Sequence, residues 1–284
     1  MEKPIVFGEA ENLFGIVNVP EKLQSSTAVI MLTAGMLHHV GSFRFHVLLA
    51  RELEKQGLLS FRFDLSGIGE SLAIGGASGS LDRAADEVGQ AMALLEDQYG
   101  IDNMILFGLC SGADDGWHVA KLDQRVIGLA MIDGLGYPTA AYYRRARLEK
   151  IRKLFRPSFW GAKLRRAWQE RSLSASGLPN GTDIREFPGR DVAAQDLQHF
   201  IERGMRILAC YTGGSGDLIN YKNQFQEMFP NIRFTASVEH EFYPEMDHVT
   251  LLKEDRKKMV ERMIAWMTNV AREYKDTKAE VACV

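Results

Sequence analysis

The sequence is poor in cysteine and has no long apolar run. Its three cysteines, Cys110, Cys210 and Cys283, are an odd and scattered set among 284 residues. They therefore do not form the disulfide framework of a small secreted protein. The longest apolar stretch, residues 28–37, is interrupted by threonine and glycine and is too short to cross a bilayer. The first residues carry acids and no apolar core of a secretory signal. We expect a cytoplasmic protein without a membrane span.

The chain also lacks an excess of charge of one sign. It has 34 Lys and Arg against 37 Asp and Glu, a net charge of −3, which is not the balance of a dedicated nucleic-acid binder. The hydrophobic fraction of 46% with 25% charged residues is ordinary globular composition. Metal-ligand spacings are missing from the sequence, and so is a glycine-rich phosphate loop. We expect neither a metal nor a bound cofactor.

Short apolar runs alternate with helical patterns along most of the chain. After a predicted hairpin, strands are expected at 28–33, 58–63, 104–107, 126–132, 206–211 and 232–238. Such alternation predicts an α/β fold with a mainly parallel central sheet flanked by helices.

The pattern changes between residues 137 and 200. Apolar strand runs disappear there, and residues 144–190 contain 13 Lys and Arg against four acids. We predict an inserted helical cap at 137–200 between two parts of one core, at 1–136 and 201–284. A basic cap beside the site would attract an anionic substrate. The alternative is that the Lys and Arg residues only solvate the polar faces of amphipathic cap helices.

The segment Gly108-Leu-Cys-Ser-Gly112 follows a predicted strand and precedes a predicted helix. Glycines two residues to either side of a nucleophile permit the tight turn of a nucleophile elbow, which places Cys110 at its apex. A helix N-terminus and a nearby imidazole both stabilise a thiolate. Ser111 would then donate its backbone N–H to an oxyanion hole. The alternative is a buried cysteine that packs like a small hydrophobic residue.

Two further residues complete a candidate triad. His248 lies in the loop before the last helix, far along the chain from the nucleophile, as the order nucleophile, acid, histidine requires. Asp217 follows a glycine cluster after the preceding strand, at the edge where ligands of α/β folds bind, and it could hold the imidazole N–H. Asp133, which ends the strand at 126–132, is the alternative acid. His240 is better explained as structural.

A loop after the strand at 28–32 supplies the last element of the candidate site. The Met36 N–H would be the second oxyanion donor, and Gly35 lets the backbone approach the substrate. His38 and His39 follow directly. They could line the pocket, and a pair that stabilises the loop is an equally good interpretation.

The turn RFDLSGIGES, the elbow GLCSG, the acid loop around Asp217 and the loop MDHVT follow one another along the chain in the order typical of the α/β-hydrolases, which this chain resembles over nearly all its length outside the cap. More narrowly, LTAGMLHHVGSFRFHVLLAREL and FGLCSGA resemble hydrolases found beside bacterial exosortase and polysaccharide loci, which also carry a GLC elbow. The resemblance implies the α/β-hydrolase fold. The family usually has serine where this chain has cysteine, and dienelactone hydrolases show that a cysteine elbow can be active.

The residues and the resemblance together predict an acyl hydrolase or thioesterase that uses Cys110, His248 and Asp217 on a small or carrier-linked acyl substrate. The first alternative is an acyltransferase that moves an acyl group to an amine or thiol, on a carrier protein or coenzyme A. The second is a binding protein without catalysis. The sequence leaves the acyl group and the oligomeric state open.

Overall fold

The structure is a computed structural model that describes residues 1–74, 79–154, 188–216 and 218–282, with the backbone alone for 153–154 and 276–282. Within these residues there are eight strands: β1 Glu2–Phe7, β2 Leu13–Asn18, β3 Thr27–Leu32, β4 Leu59–Asp64, β5 Asn103–Leu109, β6 Val126–Ile132, β7 Arg206–Thr212 and β8 Val238–Tyr243. The same residues form seven α-helices: α1 Phe45–Lys55, α2 Ser80–Tyr99, α3 Ser111–Leu122, α4 Ala140–Leu154, α5 Arg190–Glu202, α6 Gln224–Met228 and α7 Lys253–Ala282.

The eight strands form one sheet in the order β1-β2-β4-β3-β5-β6-β7-β8. The predicted hairpin is present, because β1 pairs antiparallel with β2, and β2 pairs antiparallel with β4. From β4 to β8 every neighbouring pair is parallel. The prediction of a mainly parallel sheet flanked by helices is confirmed.

The central strands are buried on both faces. Every residue of β3, β5 and β6 is buried, which is why these segments read as continuous apolar runs. Alternate side chains of β5 point to opposite layers: Leu106 packs in the core with Trp117 of α3. Phe107 packs in the second core with Trp266 of α7. One helix layer therefore covers each face.

The last strand differs from the sequence prediction. It begins at Val238, where the expected run at 232–238 ends, and pairs with β7 from Ile207 onward. Ile232 and Phe234 are only partly buried and pack against the core, with the Phe234 ring 5.8 Å from that of Phe225. Apolar residues alternate with polar ones at 232–234 because every second side chain of this loop packs against the core, and the same alternation is typical of a strand.

The predicted cap range is described only in part. Helix α4 and most of α5 lie within 137–200, and residues 155–187 fall outside the described residues. The domain boundaries therefore stay a prediction. In the described part of the chain, none of the helices combines the length and the apolar character needed to span a bilayer.

Four strand ends meet at one edge of the sheet. Because β5, β6, β7 and β8 are parallel, the residues after them leave the sheet on the same side. Cys110 follows β5, Asp133 follows β6, and the loop with His248 follows β8. The fold thus gathers residues that are more than 100 positions apart in the chain.

Candidate active site

Cys110 is held in a strained backbone conformation between β5 and α3. Its φ is 53° and its ψ is −123°, a combination that residues with a side chain rarely adopt. Its N–H donates to the Ile132 carbonyl at 2.8 Å, and its own carbonyl accepts from the Ala113 N–H at 2.9 Å. These bonds fix the turn and leave the Cys110 side chain partly exposed at the sheet edge.

The two glycines around Cys110 are required by close packing. A Cβ on Gly108 would lie 2.2 Å from the backbone of Gly112. A Cβ on Gly112 would lie 2.7 Å from the carbonyl oxygens of Leu32 and Thr33. The start of α3 therefore rests directly on the ends of β5 and β3, and the predicted elbow geometry is present.

His248 is bound to a buried carboxylate. Its Nδ1 lies 2.8 Å from Oδ2 of Asp133, whose side chain is 1% exposed. Asp133 also accepts from the Thr212 N–H and from the Thr212 hydroxyl, each at 2.6 Å. The carboxylate is thus satisfied without water, and it holds the imidazole in one orientation.

The carboxylate that is hydrogen-bonded to the imidazole belongs to Asp133, which the sequence analysis gives as the alternative acid. Asp217, the first choice, lies outside the described residues. The signal for Asp133 was its place directly after the buried strand β6, the neighbour of the elbow strand in the sheet.

The glycine cluster after β7 brings the histidine loop close to the sheet. A Cβ on Gly213 would lie 2.0 Å from the Pro244 carbonyl oxygen, and a Cβ on Gly214 would lie 2.3 Å from the backbone nitrogen of His248. Glycine is needed here because the loop after β8 passes in backbone contact with the loop after β7. The sequence pattern predicts that this segment borders the site, and its packing role emerges only from the structure.

Asp133 and Cys110 both act on the imidazole of His248. The hydrogen bond to Asp133 and, next, a hydrogen bond with the Cys110 side chain raise the pKa of His248 to about 10, against the opposing effect of burial. Nδ1 is bonded to Asp133, which leaves Nε2 as the ring nitrogen that is available to other groups. A proton therefore stays on His248 across the neutral range.

The predicted oxyanion loop is tied to the elbow by a side chain. The Ser111 hydroxyl accepts a hydrogen bond from the Gly35 N–H at 2.6 Å. Gly35 has a φ of +55° with open space around it, and Met36 beside it is 85% exposed. The sequence predicted a role for the Ser111 backbone, and the contact of its hydroxyl was missed because the two residues are 76 positions apart.

The two neighbouring histidines of this loop differ in their contacts. His39 Nδ1 lies 2.8 Å from Oδ2 of Asp64, a fully buried carboxylate that also accepts from the Glu70 N–H. Burial raises the pKa of Asp64, but the hydrogen bonds from His39 and Glu70 outweigh it and lower that pKa overall. His39 thus stabilises the loop, which is the alternative to a role in lining the pocket. His38 accepts from the Val40 N–H, and a pocket role for His38 stays a prediction.

The other cysteine in the described residues is unlike Cys110. Cys210 is buried in β7, and burial above all raises the pKa of its thiol far above the ordinary value. Cys283 lies outside the described residues. The part of the chain that the structure describes contains no group of three or more His, Cys, Asp or Glu that could hold a metal ion.

Comparison with known proteins shows the fold. No protein-family profile matches the chain, and no curated protein matches it in sequence. Among solved structures, an α/β hydrolase, GrgF, from Penicillium sp. aligns with a TM-score of 0.59 at 14% identity, over 96% of this chain and 99% of that one. The esterase domain of a Rhodothermus marinus protein gives 0.58 at 17% identity, over 95% and 99%. Proline iminopeptidase of Mycobacterium smegmatis gives 0.56 at 16% identity, over 96% and 100%. The predicted α/β-hydrolase fold is confirmed.

Adding one methyl group at Gly108 should be far more harmful than adding it at Gly89. Gly108→Ala forces the Gly112 backbone away and should cost about 3 kcal/mol or more of unfolding free energy. Gly89 lies within α2 with open space around its Cα, so Gly89→Ala should add up to about 1 kcal/mol. Urea unfolding of both variants measures the difference. Equal effects would show that the elbow is not tightly packed.

The imidazolium of His248 should stabilise the fold in a pH-dependent way. Its pKa rises from the ordinary 6.5 to about 10 on folding. The stabilisation is therefore complete below pH 6.5, falls as the pH rises, and is lost above pH 10. The difference in unfolding free energy between wild type and His248→Gln, measured by urea unfolding at several pH values, should shrink over this window. A constant difference would contradict the raised pKa.

Proposed function

We propose that the protein is an acyl hydrolase or thioesterase in which Cys110 is the nucleophile and His248 moves the proton. Asp133 orients the imidazole and favours its protonated form. In this proposal Asp133 is the acid of the triad, the role that the sequence prediction assigned first to Asp217. The observation that carries the proposal is the hydrogen bond between His248 and the buried Asp133 carboxylate, at the carboxyl end of the strand next to the one that ends in the Cys110 elbow. The strained elbow supports it independently.

The first half of the reaction forms a thioester on the protein. The Cys110 thiolate, paired with the His248 imidazolium, attacks the acyl carbon, and an Sγ–C bond forms while the carbonyl oxygen takes the electron pair. The bond from that carbon to the leaving oxygen or sulfur then breaks. The leaving group receives the proton from Nε2 of His248, which becomes neutral.

The second half restores the enzyme. Neutral His248 takes a proton from water, whose oxygen attacks the thioester carbon, and the Cys110 sulfur leaves as a thiolate beside the imidazolium. The acid product departs. The fully bonded Asp133 keeps the imidazole in the same orientation through both halves.

The developing oxyanion would be bound by backbone N–H groups of Ser111 and Met36. The Ser111 N–H stands at the start of α3, where the helix dipole also favours negative charge. The hydroxyl of Ser111 holds the loop through Gly35, so one residue would both donate to the oxyanion and position the second donor.

Acyl transfer is the second candidate, and it is favoured by the cysteine at the elbow. A thioester intermediate reacts more readily with an amine or thiol than an oxygen ester does. An acceptor of that kind would take the place of water in the second half. The narrower sequence resemblance to exosortase-associated hydrolases with a GLC elbow fits either outcome.

Intact-protein mass after incubation with a panel of acyl esters and acyl thioesters tests the proposal. Wild type should gain the mass of one acyl group, and Cys110→Ala should gain none. Asp133→Asn should acylate about 10³–10⁴-fold more slowly because the imidazole loses its orienting anion. Cys210→Ala is the matched control, and it should acylate like wild type because Cys210 is buried in the sheet.

The fate of the adduct separates the two candidate activities. Loss of the acyl group in water alone indicates a hydrolase, and loss only after addition of an amine or thiol indicates a transferase. An adduct that persists in Cys110→Ala, or no adduct and no turnover with any donor, would overturn the proposal in favour of a binding protein.

Removal of the Ser111 hydroxyl should slow acylation without affecting the thiolate. Ser111→Ala frees the Gly35 loop, and the loss of one hydrogen bond predicts a drop in kcat of about fivefold to tenfold. Ser111→Thr keeps the hydroxyl and should retain most of the rate. Alkylation of Cys110 by iodoacetamide forms no oxyanion, so its rate should equal that of wild type. Parallel losses in alkylation and acylation would indicate a damaged elbow instead.

A further inference from the structure

A cavity of about 810 Å³ lies between helix α4 and the loops that follow β7 and β8. It has the volume of a small-molecule site. One wall is a face of α4 that includes Tyr142, Arg145 and Arg152, which recur at helical spacing. The opposite wall includes Gly213 and Asn220. None of these residues has a part in the proposed acyl chemistry.

The two walls are joined by specific contacts. The Tyr142 hydroxyl donates to the Gly216 carbonyl at 3.2 Å, and the Asn220 amide donates to the Tyr142 carbonyl at 3.2 Å. The Arg145 guanidinium lies 4.9 Å from the centre of the Tyr221 ring. The first turns of α4 are therefore fixed against the body of the protein, and the cavity is a built feature of the fold.

The helix wall is rich in positive charge. Arg145, Lys150 and Arg152 line the cavity, with Glu149 as the acidic residue on the same wall. Guanidinium and ammonium groups arranged around a concave surface bind phosphate, the arginines by paired hydrogen bonds. The concave shape strengthens their field, since the protein walls focus it.

The opposite wall offers a hydrogen-bond acceptor. Asn220 Oδ1 is buried and accepts no hydrogen bond from any described residue, while its amide nitrogen is fixed by the Tyr142 carbonyl. A buried carbonyl oxygen of this kind gains from a ligand that brings a hydroxyl or amide N–H. The cavity thus combines a basic wall with an acceptor.

The cavity adjoins the loop that carries the catalytic histidine. Gly213 and Pro244 line it, and these two residues are in backbone contact at the base of the His248 loop. Gly214, the next residue, packs against the His248 backbone. A molecule in the cavity would therefore lie beside the residues that position the imidazole.

We propose that this cavity binds the phosphate-bearing arm of the acyl donor, with the chemistry of phosphopantetheine. Its phosphate would bind Lys150 and Arg152. Its hydroxyl or amide N–H groups would donate a hydrogen bond to Asn220 Oδ1. This assignment rests on the proposed function, because a thioester donor is the substrate that places such an arm next to Cys110. The arm comes either from free coenzyme A or from a carrier protein.

Two double variants with the same change in charge test the site. Lys150→Gln with Arg152→Gln removes two charges that line the cavity. Arg144→Gln with Arg147→Gln removes two charges from exposed positions of the same helix that do not line it. Both pairs alter the long-range field equally, so only contact with the ligand distinguishes them. Thermal unfolding should show the same Tm for the two pairs, because all four side chains are exposed.

Calorimetric titration of phosphopantetheine into the Cys110→Ala protein gives the direct readout. The Lys150 and Arg152 pair should weaken binding at least about tenfold, and the Arg144 and Arg147 pair should leave it within about twofold. Pantetheine, which lacks the phosphate, should bind weakly to all three proteins.

The outcomes separate the site from the chemistry. Equal weakening by both pairs, or no binding of phosphopantetheine to the Cys110→Ala protein, would overturn the site. Binding without an acyl adduct on wild type would keep the site and refute the proposed function. Tighter binding of coenzyme A than of phosphopantetheine identifies the free coenzyme as the source, and equal binding identifies the arm of a carrier protein.

Discussion

The buried carboxylate of Asp133 is the constraint on which the site depends. It lies at the end of a central strand with its side chain withdrawn from water, and an ionised group in that position requires full hydrogen bonding. Thr212 supplies two donors and His248 a third. The carboxylate thereby links the ends of β6 and β7 to the loop after β8. One charge fixes the relative position of three segments, and the raised pKa of His248 follows from it.

Backbone packing at glycines makes this linkage possible. Gly108 and Gly112 let α3 rest on the ends of two strands, and Gly213 and Gly214 let the histidine loop lie against the loop after β7. Each contact would be blocked by a single Cβ atom. Glycine at these four positions therefore lets the loops that carry Cys110 and His248 approach the strand ends closely. Strain in the Cys110 backbone is sustained by the bonds of its own N–H and carbonyl.

The fold could be predicted from the sequence because strands that are buried on both faces consist of short, continuous apolar runs, which alternate with helical patterns along the chain. The continuous apolar runs of β3, β5 and β6 match strands that are wholly buried. The prediction was wrong at β8, where Ile232 and Phe234 alternate in a loop that packs against Phe225. At the site, the elbow around Cys110 carried a local signal in its glycines. The contacts of Ser111 with Gly35 and of His39 with Asp64 carried none, since their partners are distant in the chain.

The sequence by itself determined the alternating α/β architecture, the elbow with cysteine at its apex, and the histidine in the loop before the last helix. These features depend on periodicity and on the φ values that glycine permits, which are local properties. Only the tertiary structure decided which carboxylate meets the imidazole within the described residues, and which wall faces the basic side of α4. Those choices depend on the order of strands in the sheet and on the space between loops, because a side chain bonds to whichever partner the fold brings within about 3 Å.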